Sequence, residues 1–255
     1  MLLAGAASAA PTKVAFANAA GSIGTGVCSP RITVQLQDAA GTPTAAATST
    51  TVALSGPAAV FASAACTGDP FDPALGLVIP PGQTQAQFSF VHPHAEQITL
   101  GAAADGFPAA TQAWTLTAAA GVPAQLVFTN APVNVAQGAC TPALNYVLED
   151  SAGAAATATR QLTIGLGPSA YVEFYSDAAC AQRVLGQTVQ NGAAGGTVFV
   201  KADAAGTVLM QATSPGLDPA TLKLNVAAAS SGGCTTAGAV PALSLLLLCL
   251  RRRRK

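Results

Sequence analysis

The chain has 255 residues, of which 51% are hydrophobic and only 9% are charged, and this composition excludes an intrinsically disordered protein. Eleven basic residues balance eleven acidic ones, which excludes a basic nucleic-acid-binding protein, so we predict no nucleic-acid partner. The sequence also lacks the several apolar runs of about 20 residues that a polytopic membrane protein needs.

The first ten residues are interpreted as the remnant of a signal peptide. The sequence Ala7-Ser8-Ala9 follows a short apolar run, and small residues in this pattern are typical of a signal-peptidase cleavage site. The positively charged start and most of the apolar segment of a complete signal peptide are missing, so this interpretation places the true start upstream of Met1. An unstructured alanine-rich leader is the alternative.

Two homologous units follow. Residues 11–28, PTKVAFANAAGSIGTGVC, align without a gap with residues 123–140, PAQLVFTNAPVNVAQGAC. Late in each unit Gly106 aligns with Gly216, so only short insertions and deletions separate the two copies. A duplicated unit therefore fills residues 11–226.

Both units show the alternation of apolar and polar residues that is typical of half-buried β-strands. Turn residues such as Asn191-Gly192 separate many of these segments, and Gly195 and Gly196 are predicted to lie in a hairpin loop. Seven or so short strands in each unit predict an all-β protein with two tandem β-sandwiches. The predicted strands include residues 32–36, 51–54, 85–91 and 112–117, and then 144–148, 161–166, 197–200, 207–212 and 221–226.

Each unit contains two cysteines, and the duplicated placement predicts the disulfides Cys28–Cys66 and Cys140–Cys180. Four cysteines alone would allow three pairings, so the repeat supplies the choice. Disulfides form in oxidising compartments, which implies export. No cysteine has the spacing of a zinc site, so we predict neither a metal nor a cofactor.

A strand, the turn QDAAGTP and a second strand occupy residues 32–54. This sequence resembles the bacterial immunoglobulin-like repeats of invasin- and intimin-type surface proteins. The second unit matches through Asp150 and Gly153 but has Ala155 where the first unit has Pro43. The resemblance implies two tandem immunoglobulin-like domains in an extracellular spacer or adhesive module. From the residues alone, the repeated aspartate, Asp38 in the first unit, is predicted to cap a turn.

Few residues could carry ligand chemistry. His92 and His94 could share a strand face and bind a metal with Asp69 or Asp72, but the intervening proline favours exposed loop histidines. Phe71, which lies between two Asp-Pro steps, is predicted to be the exposed aromatic residue.

Trp114 shares a strand face with Leu116 and is predicted to lie in the core. No catalytic motif is present, and we predict that the protein is not an enzyme.

Residues 227–255 form a distinct tail. A small-residue linker is followed by an apolar segment over residues 237–250, which would form only about 21 Å of helix, against about 30 Å of bilayer hydrocarbon. The terminal residues 251–255 are all basic, so residues 1–250 contain 6 basic and 11 acidic side chains. We predict a short apolar helix that inserts transiently in the inner membrane. The basic tail comprises Arg251, Arg252, Arg253, Arg254 and Lys255.

This tail resembles the MYXO-CTERM sorting signals of myxobacterial proteins and the related GlyGly-CTERM class. The resemblance rests on Ser-Gly-Gly-Cys at residues 231–234, the apolar core PALSLLLL and the terminal arginines. It implies that a sorting protease at the inner membrane acts near Gly232, Gly233 and Cys234. The body would then move to the cell surface or outer membrane of a Gram-negative bacterium. A plain tail anchor is the alternative.

The sequence thus predicts an exported, surface-anchored, non-enzymatic protein that acts as an adhesive or structural spacer. A carbohydrate- or metal-binding accessory module that uses Phe71, His92 and His94 is the alternative. The predicted segments are residues 1–10, signal-peptide remnant; 11–118, first domain; 119–122, linker; 123–226, second domain; 227–236, linker with the sorting motif; and 237–255, apolar segment and basic tail.

Overall fold

The computed structural model describes residues 10–167 and 171–229. The regular secondary structure in this part of the chain consists of β-strands only. The prediction of an all-β protein is therefore confirmed. Within the described ranges, no helix is long and apolar enough to cross a membrane. The predicted signal-peptide remnant before residue 10 and the predicted C-terminal helix lie outside the described residues.

The first domain is a sandwich of two sheets, with strand orders β1-β3-β7-β5 and β2-β9-β8-β4-β6. Its strands are β1 (Lys13–Phe16), β2 (Ser22–Gly24), β3 (Ile32–Gln37), β4 (Thr50–Ser55), β5 (Ala59–Phe61), β6 (Leu77–Ile79), β7 (Gln85–Val91), β8 (Gln97–Ala103) and β9 (Ala110–Thr117).

The second domain repeats this arrangement, with strand orders β10-β12-β17-β14-β15 and β11-β19-β18-β13-β16. Its strands are β10 (Gln125–Phe128), β11 (Val133–Ala136), β12 (Leu144–Glu149), β13 (Leu162–Gly167), β14 (Val172–Tyr175), β15 (Arg183–Val184), β16 (Gly186–Val189), β17 (Gly195–Ala202), β18 (Gly206–Thr213) and β19 (Ala220–Ala227).

The connectivity is immunoglobulin-like in both domains. Strands β1, β3, β7 and β5 occupy the A, B, E and D positions of one sheet, and β4, β8 and β9 occupy C, F and G of the other. The short second strand of each domain pairs in parallel with the last strand, as β2 does with β9 and β11 with β19. The duplication seen in the sequence is thus a duplication of the fold.

Each sandwich encloses its own apolar core, which period-two alternation supplies from both sheets. In the first core, Phe90 and Trp114 pack edge to face with 5.6 Å between ring centroids, and the prediction that Trp114 lies in the core is confirmed. In the second core, Phe128 packs on Tyr146, whose hydroxyl donates to Gln187 Oε1 at 2.8 Å. Burial raises the pKa of Tyr146 to about 12.

One disulfide links two loops within each domain. Cys28, between β2 and β3, is bonded to Cys66 after β5, and Cys140 is bonded to Cys180 at the same places in the second domain. These are the two pairs that the repeat predicts. Closing a loop of about 40 residues stabilises each domain by about 4 kcal/mol in the chain-entropy model.

Candidate functional site

The first predicted ligand residue, His92, follows β7 and is buried, with 8% of its surface exposed. Its Nε2 lies 2.7 Å from Glu96 Oε1, and its backbone carbonyl accepts a hydrogen bond from Gly26 N–H at 2.9 Å. The prediction of an exposed loop histidine is therefore wrong for His92. Val91, the last residue of β7, lies against Gly216 of the second domain.

His94 is exposed, as predicted, but it also contacts the second domain, since its Nε2 lies 3.2 Å from Asp218 Oδ1. The two histidine rings lie 5.8 Å apart between centroids, but their carboxylate partners are Glu96 and Asp218 rather than the predicted Asp69 or Asp72. In residues 10–167 and 171–229, no three His, Cys, Asp or Glu side chains are grouped so that they could hold a metal ion.

The prediction that Phe71 is the exposed aromatic residue is wrong. Its backbone N–H donates to Val60 O at 3.0 Å, and its half-buried ring packs against the first core. Asp72 accepts a hydrogen bond from Ala74 N–H at 2.9 Å and so caps the following turn. The most exposed aromatic residue in the described ranges is instead Tyr171, at 70%.

An apolar patch lies on the outer face of one sheet of the first domain. Ala59, Phe61, Cys66 and Val91, here called the junction face, are each no more than 4% exposed. Ala59, Phe61 and Val91 alternate along β5 and β7 with residues such as Val60 that point into the core, and Cys66 lies in the loop after β5. Outward-facing residues are buried here because the second domain covers them.

A groove on the second domain receives this face. Phe61, Cys66 and Gly68 lie against it, leaving a cavity of about 10 Å³, no larger than one water molecule requires. The junction groove comprises Arg160, Gln161, Leu162, Thr163, Ser214 and Pro215. The two domains therefore meet in a nearly filled contact rather than through the linker alone.

Arg160 supplies the main polar contact across the junction. Its Nη1 donates to Gly26 O at 3.3 Å, and its guanidinium carbon lies 6.0 Å from the centre of the Phe61 ring. Burial lowers the pKa of Arg160, but an arginine side chain stays protonated at neutral pH. A second cross-domain bond joins Thr25 Oγ1 to Ser151 Oγ at 3.2 Å.

Two glycines allow the backbones to approach at the junction. Gly26 has φ +69°, and a Cβ at this position would lie 2.0 Å from Pro123 O. Gly216 has φ +78°, and a Cβ there would lie 2.8 Å from Val91 Cγ1. A side chain at either position would meet the other domain and would also strain the backbone.

The linker is held by the repeated aspartate of the second domain. Asp150 is buried and accepts hydrogen bonds from the N–H groups of Gly121 at 3.0 Å, Ala152 at 2.9 Å and Ala154 at 3.0 Å. These bonds, that from Gly121 first, lower the pKa of Asp150. Both aspartates cap a turn as predicted, since Asp38 accepts from Thr42 N–H at 2.8 Å. Only Asp150 also binds the linker.

The face equivalent to the junction face is charged in the second domain. Ala59 pairs with Val91 in the first domain, and at the same register Glu173 pairs with Lys201 in the second. Arg183 lies 3.0 Å from Glu173, and the hydroxyl of Tyr175, at the position of Phe61, donates to the same carboxylate. This hydrogen bond is the main reason that the pKa of Tyr175 is raised.

No family model matches the chain, and no curated protein matches it. Similar solved structures include the Yersinia pseudotuberculosis adhesin InvE, with 15% identity over 84% of this chain and a TM-score of 0.30. A β-glycosidase from Bacteroides vulgatus has 12% identity over 85% of this chain and a TM-score of 0.32. Domains 4 and 5 of the S-layer protein SbsC have 14% identity over 86% of it and a TM-score of 0.29.

The matched regions are 58%, 25% and 99% of those three structures, so the chain spans less than two thirds of the first two. At such identities and TM-scores, these similarities transfer neither activity nor partners to this chain.

The predicted processing residues Gly232, Gly233 and Cys234, and the basic tail over residues 251–255, lie outside the described residues. The junction was not predicted. Its signal in the sequence is the contrast between apolar outward positions in β5 and β7 and charged ones in β14 and β17.

Proposed function

We propose that this chain is an exported, surface-anchored, non-enzymatic protein in which two immunoglobulin-like domains act as one rigid spacer or adhesive module. The observation that carries the proposal is the filled junction between the domains. Domains joined only by a linker move independently, whereas a buried apolar contact with fixed polar bonds holds one orientation. A rigid pair can hold loop surfaces at a set distance from a membrane.

Export is supported by the two disulfides. Such bonds persist in oxidising compartments and are rare where thiols are kept reduced. The Ala-Ser-Ala sequence at residues 7–9 agrees with passage through a secretory pathway.

Delivery by the tail is the second part of the proposal. The apolar run over residues 237–250 is too short for a stable span, so it suits brief recognition in the inner membrane better than permanent anchoring. The cluster over residues 251–255 keeps the C-terminus cytoplasmic and leaves the body outside. A sorting protease would cut near Cys234 and release an acidic body to the surface.

Cell fractionation with intact-mass analysis of the mature protein tests this proposal. The expected product lacks the residues beyond about Cys234, lies in the surface fraction and contains two disulfides. A matched variant with residues 251–254 changed to glutamine should stay unprocessed, because the topology signal is removed. An intact basic tail on the wild-type protein in the inner membrane would overturn sorting. Free thiols at Cys28 or Cys140 would overturn export.

The alternative, a carbohydrate- or metal-binding accessory module, gains no support from a specific contact. Phe71 packs against the core, His92 is buried beside Glu96, and His94 lies against Asp218 of the second domain. These side chains stabilise the first domain and the junction. Polysaccharide binding that is lost in His94→Ala, with thermal stability unchanged, would reverse this preference.

A further inference from the structure

We propose that the first domain has an open copy of the junction groove, and that this groove docks the second domain of another copy of this chain. The proposal goes beyond the spacer function, since it assigns a self-association surface. It rests on the duplication, because each surface that forms the junction occurs twice in the chain.

The open groove lies at the same place in the fold as the filled one. In the alignment that matches Cys140 with Cys28, Arg160–Thr163 align with residues 48–51, at the start of β4. The alignment that matches Gly216 with Gly106 carries Ser214 and Pro215 back to residues 104 and 105, after β8. In the described part of the chain, residues 48–51 and 105 line an open groove of about 330 Å³. It is formed by Pro11, Ala47, Thr48, Ser49, Thr50, Thr51, Asp105 and Phe107.

The occupant is the face of the second domain that is equivalent to the junction face. Tyr175 and Cys180 of that face stand where Phe61 and Cys66 stand in the first domain. Tyr175 is itself only 7% exposed, because it packs within its own domain and donates a hydrogen bond to Glu173. The part of this face that a partner can reach is formed by the partly exposed Glu173, Cys180 and Lys201, at the positions where Ala59, Cys66 and Val91 meet the junction groove.

The charges of the two free surfaces are complementary. Within the chain, Val91 lies against Gly216, beside Pro215. At the equivalent positions of the proposed contact, Lys201 would face Gly106, beside Asp105. Glu173, the cross-strand partner of Lys201, is already paired with Arg183, which leaves the lysine to meet the aspartate.

Such docking is head to tail, so it leaves one groove and one face free at the ends and extends by further copies. The contact is more polar than the junction, because charged residues replace Ala59 and Val91. We therefore expect weak association that salt screens, since exposed charge pairs lose their attraction at high ionic strength.

Sedimentation velocity of the full chain tests the proposal. At low salt and about 100 µM protein the wild type should form dimers and larger species. Asp105→Lys and Lys201→Glu should each weaken association about tenfold, as loss of one close charge pair does. The double variant restores opposite charges and should recover most of the loss. Asp105→Asn, with a smaller effect and unchanged circular dichroism, controls for misfolding.

Two results would overturn the proposal. One is a monomer at all concentrations up to about 1 mM at low salt, far above what a specific contact needs. The other is association that the single charge reversals leave unchanged, which would place the contact elsewhere, for example in the C-terminal apolar segment. Neither result affects the proposed spacer function, because that function requires only the junction within one chain.

Discussion

The two domains share topology, register and disulfide, but they differ on the outer face of one sheet. In the first domain this face is apolar and Cys66 is 1% exposed, whereas the equivalent Cys180 is partly exposed and its neighbours are Glu173 and Lys201. Since the folds are the same, the difference cannot come from folding requirements. It reflects which face another domain covers.

The opposite surface is also covered in only one of the two domains. The groove of the second domain contains Arg160 and Pro215 and is filled, while that of the first contains Thr48 and Asp105 and is open in the described part of the chain. Both grooves contain polar residues, such as Gln161 and Thr163 in the filled groove and Ser49 and Thr50 in the open one. The two grooves therefore differ mainly in whether another domain of the same chain fills them.

The largest effect is expected from removing the disulfides. Changing both Cys28 and Cys66 to serine should lower the free energy of unfolding of the first domain by about 4 kcal/mol, and the Cys140 and Cys180 pair should cost the second domain a similar amount. The first change should also loosen the junction, because Cys66 is part of it. Calorimetry of the two double variants measures the stability of each domain and whether the domains still unfold together. If both variants loosened the junction equally, the placement of Cys66 in the junction would be contradicted.

Gly216→Ala against Gly106→Ala isolates the steric fit of the junction. Both glycines have φ near +80°, so each change costs about 1 kcal/mol of backbone strain. Only Gly216 lies against Val91, so its substitution should cost about 1–3 kcal/mol more through overpacking. Chemical denaturation followed in each domain measures both costs, and equal values would exclude close contact between the domains.

Arg160→Ala should cost about 2 kcal/mol of junction stability, because it removes the bond to Gly26 O and leaves that carbonyl without its charged donor. Thr48→Ala, at the equivalent position of the open groove, should change stability by about 0.5 kcal/mol or less. Limited proteolysis of the linker over residues 119–122 reports junction opening. Faster cleavage in the threonine variant than in the arginine variant would contradict the account.

The smallest expected effect is a pH dependence at the linker. The pKa of Asp150 is lower in the folded than in the unfolded chain, so its stabilisation is present above the unfolded pKa of about 4 and is lost as pH falls through the folded value. The stability difference between wild type and Asp150→Asn should therefore shrink below about pH 4. Asp38→Asn, which leaves the linker contact intact, is the control. A difference that grows towards acid would reverse the assigned sign.

Much of the fold follows from the sequence, because period-two alternation can be seen within each strand and the duplication can be seen by aligning the two units. They predict strand positions, a sandwich for each unit and the cysteine pairs. Gly195 and Gly196, predicted in a hairpin loop, instead begin β17, where a Cβ on Gly195 would lie 2.1 Å from Tyr146 O. Alternation cannot show how closely a neighbouring strand approaches.

The junction could not be predicted by the same means. Ala59, Phe61 and Val91 occupy outward positions, and alternation gives an outward residue the same pattern whether water or another domain covers it. The prediction of an exposed loop position for His92 fails because its carbonyl accepts a hydrogen bond from Gly26 N–H and its ring lies against Glu96, contacts that alternation does not show. The junction becomes visible in the sequence only when equivalent outward positions of the two units are compared, such as Ala59 with Glu173 and Val91 with Lys201.

The rigid junction is the central claim, and residual dipolar couplings of the isotopically labelled, weakly aligned protein test it most directly. Couplings from both domains should fit a single alignment tensor, because the filled contact fixes one relative orientation. Gly216→Ala should need two tensors while Gly106→Ala keeps one. Two tensors of different magnitude in the wild-type protein would show independently moving domains and contradict the account.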